Sequence, residues 1–392
     1  MRGSHRLEVV QSPIIPVLAD LLRAHPDAIS LGQGIVGYAP PPTVAERLAR
    51  VGSDPALHRY QPVAGLPELT AALADWMARR HGVPVGPAHG NRLLVTAGGN
   101  NAFYAALLAA TEPGDEVILP TPYYFNHEMA VTMAGCRPVT VSTDAACQLD
   151  PAALAAAVTP RTRVIITVSP NNPTGAVYPA ATLRVVNALC ASRGLYHFSD
   201  EAYAEFVHEG PPHHAPASDP GTAAHTVSLH SLSKAFGFAG WRIGWLVCPA
   251  ALEAPLRKIQ DTLLICPPVI SQHAALGALA AGPDWIAAQL GPLRENRTHF
   301  QAALTGLAGD GLCTLPPAAG AFYFLPDLRT TLAPLTVVER LIREHGVAVV
   351  PGSAFGCTAG CRLRIAYGAL DPARLPEALA RLTRGFRALA PP

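Results

Sequence analysis

Between about residues 92 and 248, short apolar runs rich in β-branched residues recur, and alanine-rich stretches with helical character separate several of them. Such runs, apolar on both faces, predict a mostly parallel sheet with helices covering both sides. The fold class is therefore α/β, with seven strands in a large domain, and ligands are expected off the carboxyl ends of the strands. The predicted strands are 92–96, 116–119, 138–141, 164–168, 195–198, 226–229 and 243–247.

Beyond about residue 281 the pattern changes to helical stretches around one or two late strands, at 320–324 and 362–366. This change predicts a second, smaller α+β domain, completed by the N-terminal segment. We expect a large domain over 43–281 and a small domain formed by 1–42 together with 282–392.

Composition narrows the classes of partner. Hydrophobic residues make up 49% of the 392 residues, charged residues 15%, and the formal net charge is +1 without any run of like charges. These values argue against nucleic acid or an anionic membrane surface as a partner, and no apolar run is long enough to span a bilayer. The eight cysteines include no Cys-x-x-Cys pair, which argues against a zinc site or a disulfide framework. We expect a soluble, cytoplasmic protein that acts on small molecules and binds no metal.

Lysine is nearly absent from the chain. Of the 29 lysine and arginine residues only two are lysines, Lys234 and Lys258. An amine cannot be replaced by a guanidinium where it must act as a nucleophile, because arginine is never deprotonated in proteins. Lys234, in a Ser-Leu-Ser-Lys motif that follows the sixth strand, is therefore the first candidate for covalent chemistry. The count alone also allows an ordinary surface lysine, which is how Lys258 is interpreted.

Three more polar motifs follow strands of the predicted sheet. Thr-Ala-Gly-Gly-Asn-Asn at 96–101 opens an alanine-rich helix, and a helix N-terminus with glycines suits a phosphate, although a plain tight turn would look the same. Asn-Asn-Pro-Thr-Gly ends at residue 175, where a proline-rich turn is the alternative, and Asp-Glu-Ala-Tyr ends at residue 203. In a parallel sheet these motifs and Lys234 meet at one edge, which predicts a common site.

Together these motifs strongly resemble the fold-type I pyridoxal-phosphate enzymes, specifically the class I/II, aspartate aminotransferase-like group. Asn-Asn-Pro-Thr-Gly, Asp-Glu-Ala-Tyr and Ser-x-Ser-Lys followed eight residues later by Arg242 are present in the family's order and spacing. The resemblance covers essentially the whole chain. It implies pyridoxal 5'-phosphate as cofactor, with Lys234 bound to it as a Schiff base and Asp200 paired with its pyridine nitrogen. Tyr203 and Asn172 would hydrogen-bond its phenolic oxygen.

The resemblance also implies how the phosphate is held. The backbone amides of Gly99 and Asn100, together with Ser231 and Arg242, would bind the phosphate, and Tyr124 would stack on the ring face.

Further roles follow from the same resemblance. His127 would orient Asp200 from behind, with a satisfied core or surface histidine as the alternative. Tyr60 matches a tyrosine that reaches the phosphate of the neighbouring subunit, which implies a homodimer with composite sites. Arg364 would clamp the substrate α-carboxylate, and register favours it over the arginine two positions earlier. Gly34 would touch bound substrate, although a turn glycine is equally expected there.

The implied reaction is ping-pong transamination between an L-amino acid and a 2-oxo acid. The segment 262–268 is expected to approach the partner's site and offers no cation for a second carboxylate, while Ile14, Ile15, Ile35 and Tyr38 suggest an apolar lining. We therefore expect neutral, aliphatic or aromatic amino donors. The same residues also support a β-lyase acting on cysteine conjugates or other chemistry at Cα. A non-catalytic, cofactor-binding regulator is disfavoured because the N-terminal extension is short and not basic.

Overall fold

The computed structural model describes residues 3–391. Its strands, in chain order, are β1 Ile29–Ser30, β2 Asn91–Thr96, β3 Glu116–Thr121, β4 Arg137–Ser142, β5 Thr162–Val168, β6 Tyr196–Asp200, β7 Thr226–Ser231, β8 Gly244–Pro249, β9 Cys313–Thr314, β10 Tyr323–Phe324, β11 Asp327–Leu328, β12 Val347–Ala348, β13 Val350–Pro351 and β14 Leu363–Ala366. Its α-helices are α1 His5–Glu8, α2 Ile14–Ala24, α3 Pro42–Val51, α4 Pro67–His81, α5 Gly99–Ala110, α6 Phe125–Met133, α7 Pro151–Ala157, α8 Ala180–Arg193, α9 Leu232–Ala235, α10 Glu253–Leu264, α11 Val269–Gly309, α12 Pro334–His345 and α13 Leu375–Leu389.

The central sheet confirms the predicted α/β fold class. Seven strands pair in the order β2-β8-β7-β6-β5-β3-β4, and β8 alone runs antiparallel to its neighbours in this sheet. The seven predicted runs correspond to these seven strands, with ends that differ by at most two residues. Asp200 lies opposite both Val168 and Leu229 in the register, so the segments that follow β5, β6 and β7 leave the sheet side by side.

Both faces of the sheet are buried at its centre, which explains why strands such as β5 are mostly apolar instead of alternating. Val164 and Ile166 of β5 pack in one hydrophobic cluster with α5, whereas Ile165 between them packs in another cluster with α8. Successive side chains of a strand point to opposite faces, so both positions require apolar side chains.

The N-terminal and C-terminal parts of the chain meet in a second region of sheet. β1 pairs in parallel with β12, and β14 lies between β10 and β13. The late strands predicted at 320–324 and 362–366 correspond to β10 and β14, whereas the two-residue strands β9, β11, β12 and β13 were not predicted. Gly282, with φ of 72°, interrupts α11 next to the predicted boundary at residue 281. The division into 43–281 and the two flanking segments stays a prediction.

In the described part of the chain, no single helix has both the length and the apolar composition needed to cross a bilayer. The pair Ala250–Leu264 and Val269–Gly309 reaches that length and composition only when taken together, and it is bent by 119°.

Candidate active site

A cavity of about 520 Å³ opens at the carboxyl ends of β5, β6 and β7, which is the edge predicted for ligands. Apart from Tyr60 and His127, every predicted site residue lines it. These residues are Gly34, Gly99, Asn100, Tyr124, Asn172, Asp200, Tyr203, Ser231, Lys234, Arg242 and Arg364. The sheet therefore brings together side chains that lie up to 330 positions apart in the chain (364 minus 34).

Lys234 lies in the short helix α9, whose first turn is capped by the Ser231 hydroxyl. Its ammonium nitrogen donates to the backbone carbonyl of Gly34. The pKa of Lys234 is lowered to about 8. Burial is the largest cause, the positive charges of Arg364 and Arg242 add to it, and the negative charge of Asp200 opposes them. A substantial fraction of the amine is therefore neutral near physiological pH, which a nucleophile or a proton acceptor requires.

Asp200 is the last residue of β6 and faces the cavity with a carboxylate that is fixed from two sides. Its Oδ1 accepts from the backbone N–H of Ala202 at 3.0 Å, and its Oδ2 lies 3.1 Å from His127 Nε2. The His127 ring is buried and stacks on Phe103 with 4.1 Å between ring centroids. His127 therefore lies behind Asp200 and outside the cavity, in the position expected of a residue that orients this carboxylate.

One end of the cavity is built to bind an anion. The N-terminus of α5 faces it through Gly99 and Asn100, and helix N-termini present free N–H groups and a favourable dipole. The Arg242 guanidinium lies so close to Gly98 that a Cβ added there would be 2.3 Å from Nη2. Gly98 has φ of 85° and Arg242 itself has φ of 54°, a conformation that costs energy for a non-glycine residue.

The Ser231 hydroxyl completes this anion-binding end. It donates to Ser233 Oγ at 2.8 Å and accepts from the Ser233 backbone N–H at 3.1 Å. Both serines line the cavity. The motif thus places two hydroxyl groups beside the N-terminus of α5, where the sequence had indicated one.

Tyrosine hydroxyls line the side of the cavity. Tyr124 accepts from Asn126 Nδ2 at 2.7 Å, and burial raises the pKa of Tyr124. The hydroxyls of Tyr203 and Tyr323 lie 2.6 Å apart, and burial, followed by Tyr323, raises the pKa of Tyr203 well above its usual value. Both groups are therefore protonated at physiological pH and can act as hydrogen-bond donors.

Arg364 is a buried cation that lines the same cavity. Its side chain is 2% exposed and donates to Asn172 Oδ1 at 2.9 Å and to the Gly32 carbonyl at 2.6 Å. Its Nε has no hydrogen-bond partner among the described residues. A buried guanidinium without a carboxylate partner is costly, and an anionic ligand group would offset that cost. The neighbouring Arg362 lies 3.7 Å from Asp327 instead and does not line the cavity.

Tyr60 lies away from this cavity. Its side chain is 78% exposed, and it lines a separate groove together with Cys266 and Pro267. The predicted role of Tyr60 concerns a neighbouring subunit and stays a prediction.

Several residues that line the cavity were not predicted. Tyr323 was overlooked because its strand shows no polar motif, and its position follows from the pairing of β10 with β14. Ser233 could have been found as the second serine of Ser-x-Ser-Lys. The cavity also includes Gln33, Asn126 and His230, for which the sequence carries no specific signal. Of the expected apolar lining, Ile15 and Ile35 are present, but Ile14 and Tyr38 are not: Tyr38 instead donates to the Lys234 carbonyl at 2.8 Å.

Comparison with known proteins agrees with this geometry. The model of the family described as aminotransferase class I and II matches residues 26–382. The aspartate aminotransferase of Pyrococcus abyssi is 33% identical over 99% of both chains, and aromatic aminotransferase ISS1 of Arabidopsis thaliana is 31% identical over 98% of this chain and 96% of its own. A structure of Thermus thermophilus aspartate aminotransferase with maleate superposes with a TM-score of 0.89 at 32% identity, covering 98% of this chain and 100% of the other. The chain belongs to the class I and II aminotransferases.

Proposed function

We propose that this aminotransferase takes amino groups from neutral amino acids, aliphatic or aromatic, and passes them to a 2-oxo acid in two ping-pong half-reactions. One observation carries the donor preference. The lysines and arginines that line the cavity are Lys234, Arg242 and Arg364, and each has a proposed task at the cofactor or the α-carboxylate. Among the described residues of this chain, no further lysine or arginine lines the cavity to pair with a second carboxylate, as an acidic donor requires.

Members of this family use pyridoxal 5'-phosphate, and the residues of the cavity fit it. The close approach of Arg242 to Gly98 beside the N-terminus of α5 forms a cradle that a Cβ would fill, which suits a phosphate. The Asp200 carboxylate suits a protonated pyridine nitrogen, and the buried amine of Lys234 suits an aldehyde. The group would thus be held by Arg242, Ser231 and the α5 amides at its phosphate, and by Lys234 and Asp200 at its ring.

When bound, pyridoxal phosphate supplies an aldehyde that reacts with amines and a ring that accepts electron density from a breaking bond at Cα. The chain supplies the remaining functions. Arg364 binds the α-carboxylate through two nitrogens and so fixes the position of Cα. Lys234 Nζ, with a pKa of about 8, is neutral often enough to take the proton from Cα and hold it for return. Because proton removal and return share one nitrogen, one cavity can serve both half-reactions.

The edge of the cavity supports the proposed preference. Pro13, Ile15, Ile35 and Phe125 contribute apolar surface there, so an apolar donor side chain would leave water on binding. A carboxylate at this edge would lose hydration without gaining a cation, which is costly. Aliphatic and aromatic side chains are therefore favoured over those of aspartate and glutamate.

We also propose that the active protein is a homodimer with composite sites. Tyr60 is 78% exposed and Leu263, Ile265 and Ile270 are 47%, 39% and 44% exposed, and Tyr60 lines the groove formed with the segment between α10 and α11. An exposed apolar surface of this kind is typical of an interface between subunits. The cytoplasmic location likewise stays a proposal, supported by eight cysteines that are all unpaired.

The experiment is a half-reaction titration. The purified protein loaded with pyridoxal phosphate is mixed with single amino acids and no oxo acid, and the appearance of the pyridoxamine phosphate spectrum is followed. We expect leucine and phenylalanine to convert the cofactor at least tenfold more efficiently than aspartate, and Lys234→Ala to abolish conversion. Strong conversion by aspartate with none by hydrophobic donors would refute the preference. A cysteine S-conjugate, whose thiolate can leave from Cβ, is included among the amino acids, and release of ammonia, pyruvate and the thiol from it without an acceptor would instead identify a β-lyase.

An engineered cation provides a matched test of the charge argument. Ile15→Arg places a guanidinium at the apolar edge, whereas Ile15→Met keeps the edge apolar at similar volume. We expect Ile15→Arg to shift selectivity toward aspartate and Ile15→Met to leave it within a factor of about two.

A further inference from the structure

Tyr323 has no role in the function described so far, yet it contacts two of the groups that the reaction needs. It is fully buried, lies in β10 and pairs with Ala366 of β14, two residues beyond Arg364. Its hydroxyl lies 2.6 Å from the Tyr203 hydroxyl, and its ring centroid lies 4.7 Å from Arg364 Cζ. The Tyr323 side chain thus contacts both Tyr203, which is proposed to bind the cofactor, and Arg364, which is proposed to bind the α-carboxylate.

The hydroxyl pair contains two protons, and either oxygen can be the donor at this distance. Within the described part of the chain, Tyr203 is the one hydrogen-bond partner of the Tyr323 hydroxyl. The backbone of Gly34 closes the other side, because a Cβ at that position would be 2.6 Å from the Tyr323 oxygen. Each hydroxyl has one proton, so a Tyr203 hydroxyl that donates to a group in the cavity leaves Tyr323 as the donor in the contact between them.

The ring of Tyr323 supports Arg364 by a separate contact. The Arg364 guanidinium lies 4.7 Å from the Tyr323 ring centroid and 4.9 Å from that of Phe355. A cation over two aromatic faces is stabilised by the ring quadrupoles, most strongly where water is excluded. The guanidinium is thereby oriented before a carboxylate arrives, which reduces the entropy lost on binding.

We propose that Tyr323 is a positioning residue: its hydroxyl donates to Tyr203 and so directs the Tyr203 proton at the cofactor, while its ring holds Arg364 ready for the α-carboxylate. Tyr323 acts through the roles proposed above for Tyr203 and Arg364, so the assignment rests on the proposed function. The titratable or charged groups that face the Tyr203 hydroxyl and ring are Tyr323, Tyr124, Arg364 and Lys234.

The hydroxyl is tested by the pH dependence of the absorbance of bound pyridoxal phosphate in the holoenzyme. A hydrogen bond from Tyr203 to the phenolic oxygen stabilises its anionic form, so Tyr203→Phe should raise the pKa of the bound cofactor by about 1 to 2. A hydroxyl that accepts a hydrogen bond becomes a better donor, by about 10–30% per bond, so Tyr323→Phe should raise the same pKa by about 0.1 to 0.6. Combining both substitutions should add nothing to Tyr203→Phe alone.

The matched control is Tyr367→Phe. Tyr367 is also fully buried, but its hydroxyl contacts the Ala321 carbonyl at 3.4 Å and does not reach the cavity. This variant should leave the pKa of the bound cofactor at the wild-type value. An equal shift in Tyr367→Phe and Tyr323→Phe would overturn the assignment, because it would reflect a general loss of core packing.

The ring is tested by binding of 3-phenylpropanoate, a carboxylate without an amino group. Tyr323→Leu should weaken its affinity about 2- to 30-fold, the range expected from a lost cation–π contact, whereas Tyr323→Phe should leave it within a factor of two. Unchanged affinity in Tyr323→Leu overturns the part of the proposal that concerns Arg364. If Tyr323→Leu does not fold, the comparison of Tyr323→Phe with Tyr367→Phe still decides the part that concerns the hydroxyl.

The outcomes also separate this proposal from the proposed function. If Tyr203→Phe raises the pKa of the bound cofactor and Tyr323→Phe does not, the role of Tyr323 alone is refuted. If Tyr203→Phe itself leaves that pKa unchanged, the proposed role of Tyr203 is wrong, and the role of Tyr323 fails with it.

Discussion

The lowered pKa of Lys234 can be measured directly, because the chain contains only one other lysine. The cofactor-free enzyme is treated with formaldehyde and cyanoborohydride in brief pulses between pH 6 and 11. Each pulse labels only neutral amines, and the two lysine-containing peptides are then quantified by mass spectrometry. Lys258 is exposed on α10 and serves as the internal reference for reagent concentration at each pH.

The expected magnitude follows from the burial and charges of the site. With a pKa of about 8, Lys234 is about 25% neutral at pH 7.5, against about 0.1% for a lysine at 10.5, so the reactive population is about 200-fold larger. Burial is the largest cause, and the positive charge of Arg364 is the next. Arg364→Gln should therefore move the midpoint of Lys234 labelling to higher pH without changing that of Lys258.

The midpoint is the decisive quantity, because absolute rates also depend on access of the reagent. A labelling midpoint of Lys234 near 10.5 would refute the inference that burial and neighbouring cations make this amine reactive. An unchanged midpoint in Arg364→Gln, with the wild-type midpoint near 8, would show that Arg364 does not contribute and would leave burial and Arg242 as the causes.

Three further outcomes are expected. Gly98→Ala places a Cβ 2.3 Å from the Arg242 guanidinium at φ of 85° and should weaken pyridoxal phosphate binding at least tenfold in an absorbance titration. The control Gly90→Ala has a similar φ of 73°, but its nearest neighbour is 3.9 Å away, and it should leave cofactor binding unchanged. Lys234→Met should stabilise the cofactor-free protein by up to about 3 kcal/mol in urea unfolding below pH 8. The pKa of Lys234 is about 8 in the folded protein and 10.5 in the unfolded chain, so holding the charged amine destabilises the folded state fully below about pH 8. This destabilisation vanishes as the pH rises to 10.5, and the stabilisation by Lys234→Met should fade over the same range. His127→Phe removes the group behind the Asp200 carboxylate and should lower kcat about 10- to 100-fold with KM nearly unchanged, and a change confined to KM would contradict an orienting role.

The strands of the central sheet could be read from the sequence because a doubly covered sheet requires apolar residues at both faces. Runs such as 164–168 are apolar at every position except Thr167, and this signal is local. The short strands β9 and β11 lack such a run. Strands β12 and β13 lie in the apolar run 347–351, but each has only two residues, and its pairing is set by another segment, as Ile29 pairs with Val347.

The same distinction separates the predicted site residues from those that were overlooked. Lys234, Asp200 and Asn172 lie in compact motifs directly after strands, so their convergence follows from the topology of a parallel sheet. Tyr323 and Gln33 lie in segments without such motifs, and they reach the cavity through packing of the N-terminal and C-terminal parts of the chain.

The sequence by itself therefore determined the family and the fold class and predicted which chemical groups line the cavity, because these depend on local patterns and on residue types that no other residue can replace. Tertiary structure alone decided the electrostatics and fine positions. The pKa of Lys234, the unpaired Nε of Arg364 and the contact between Tyr203 and Tyr323 depend on burial and on distances between remote segments. Desolvation and Coulomb energies vary with those distances, and no local sequence pattern encodes them.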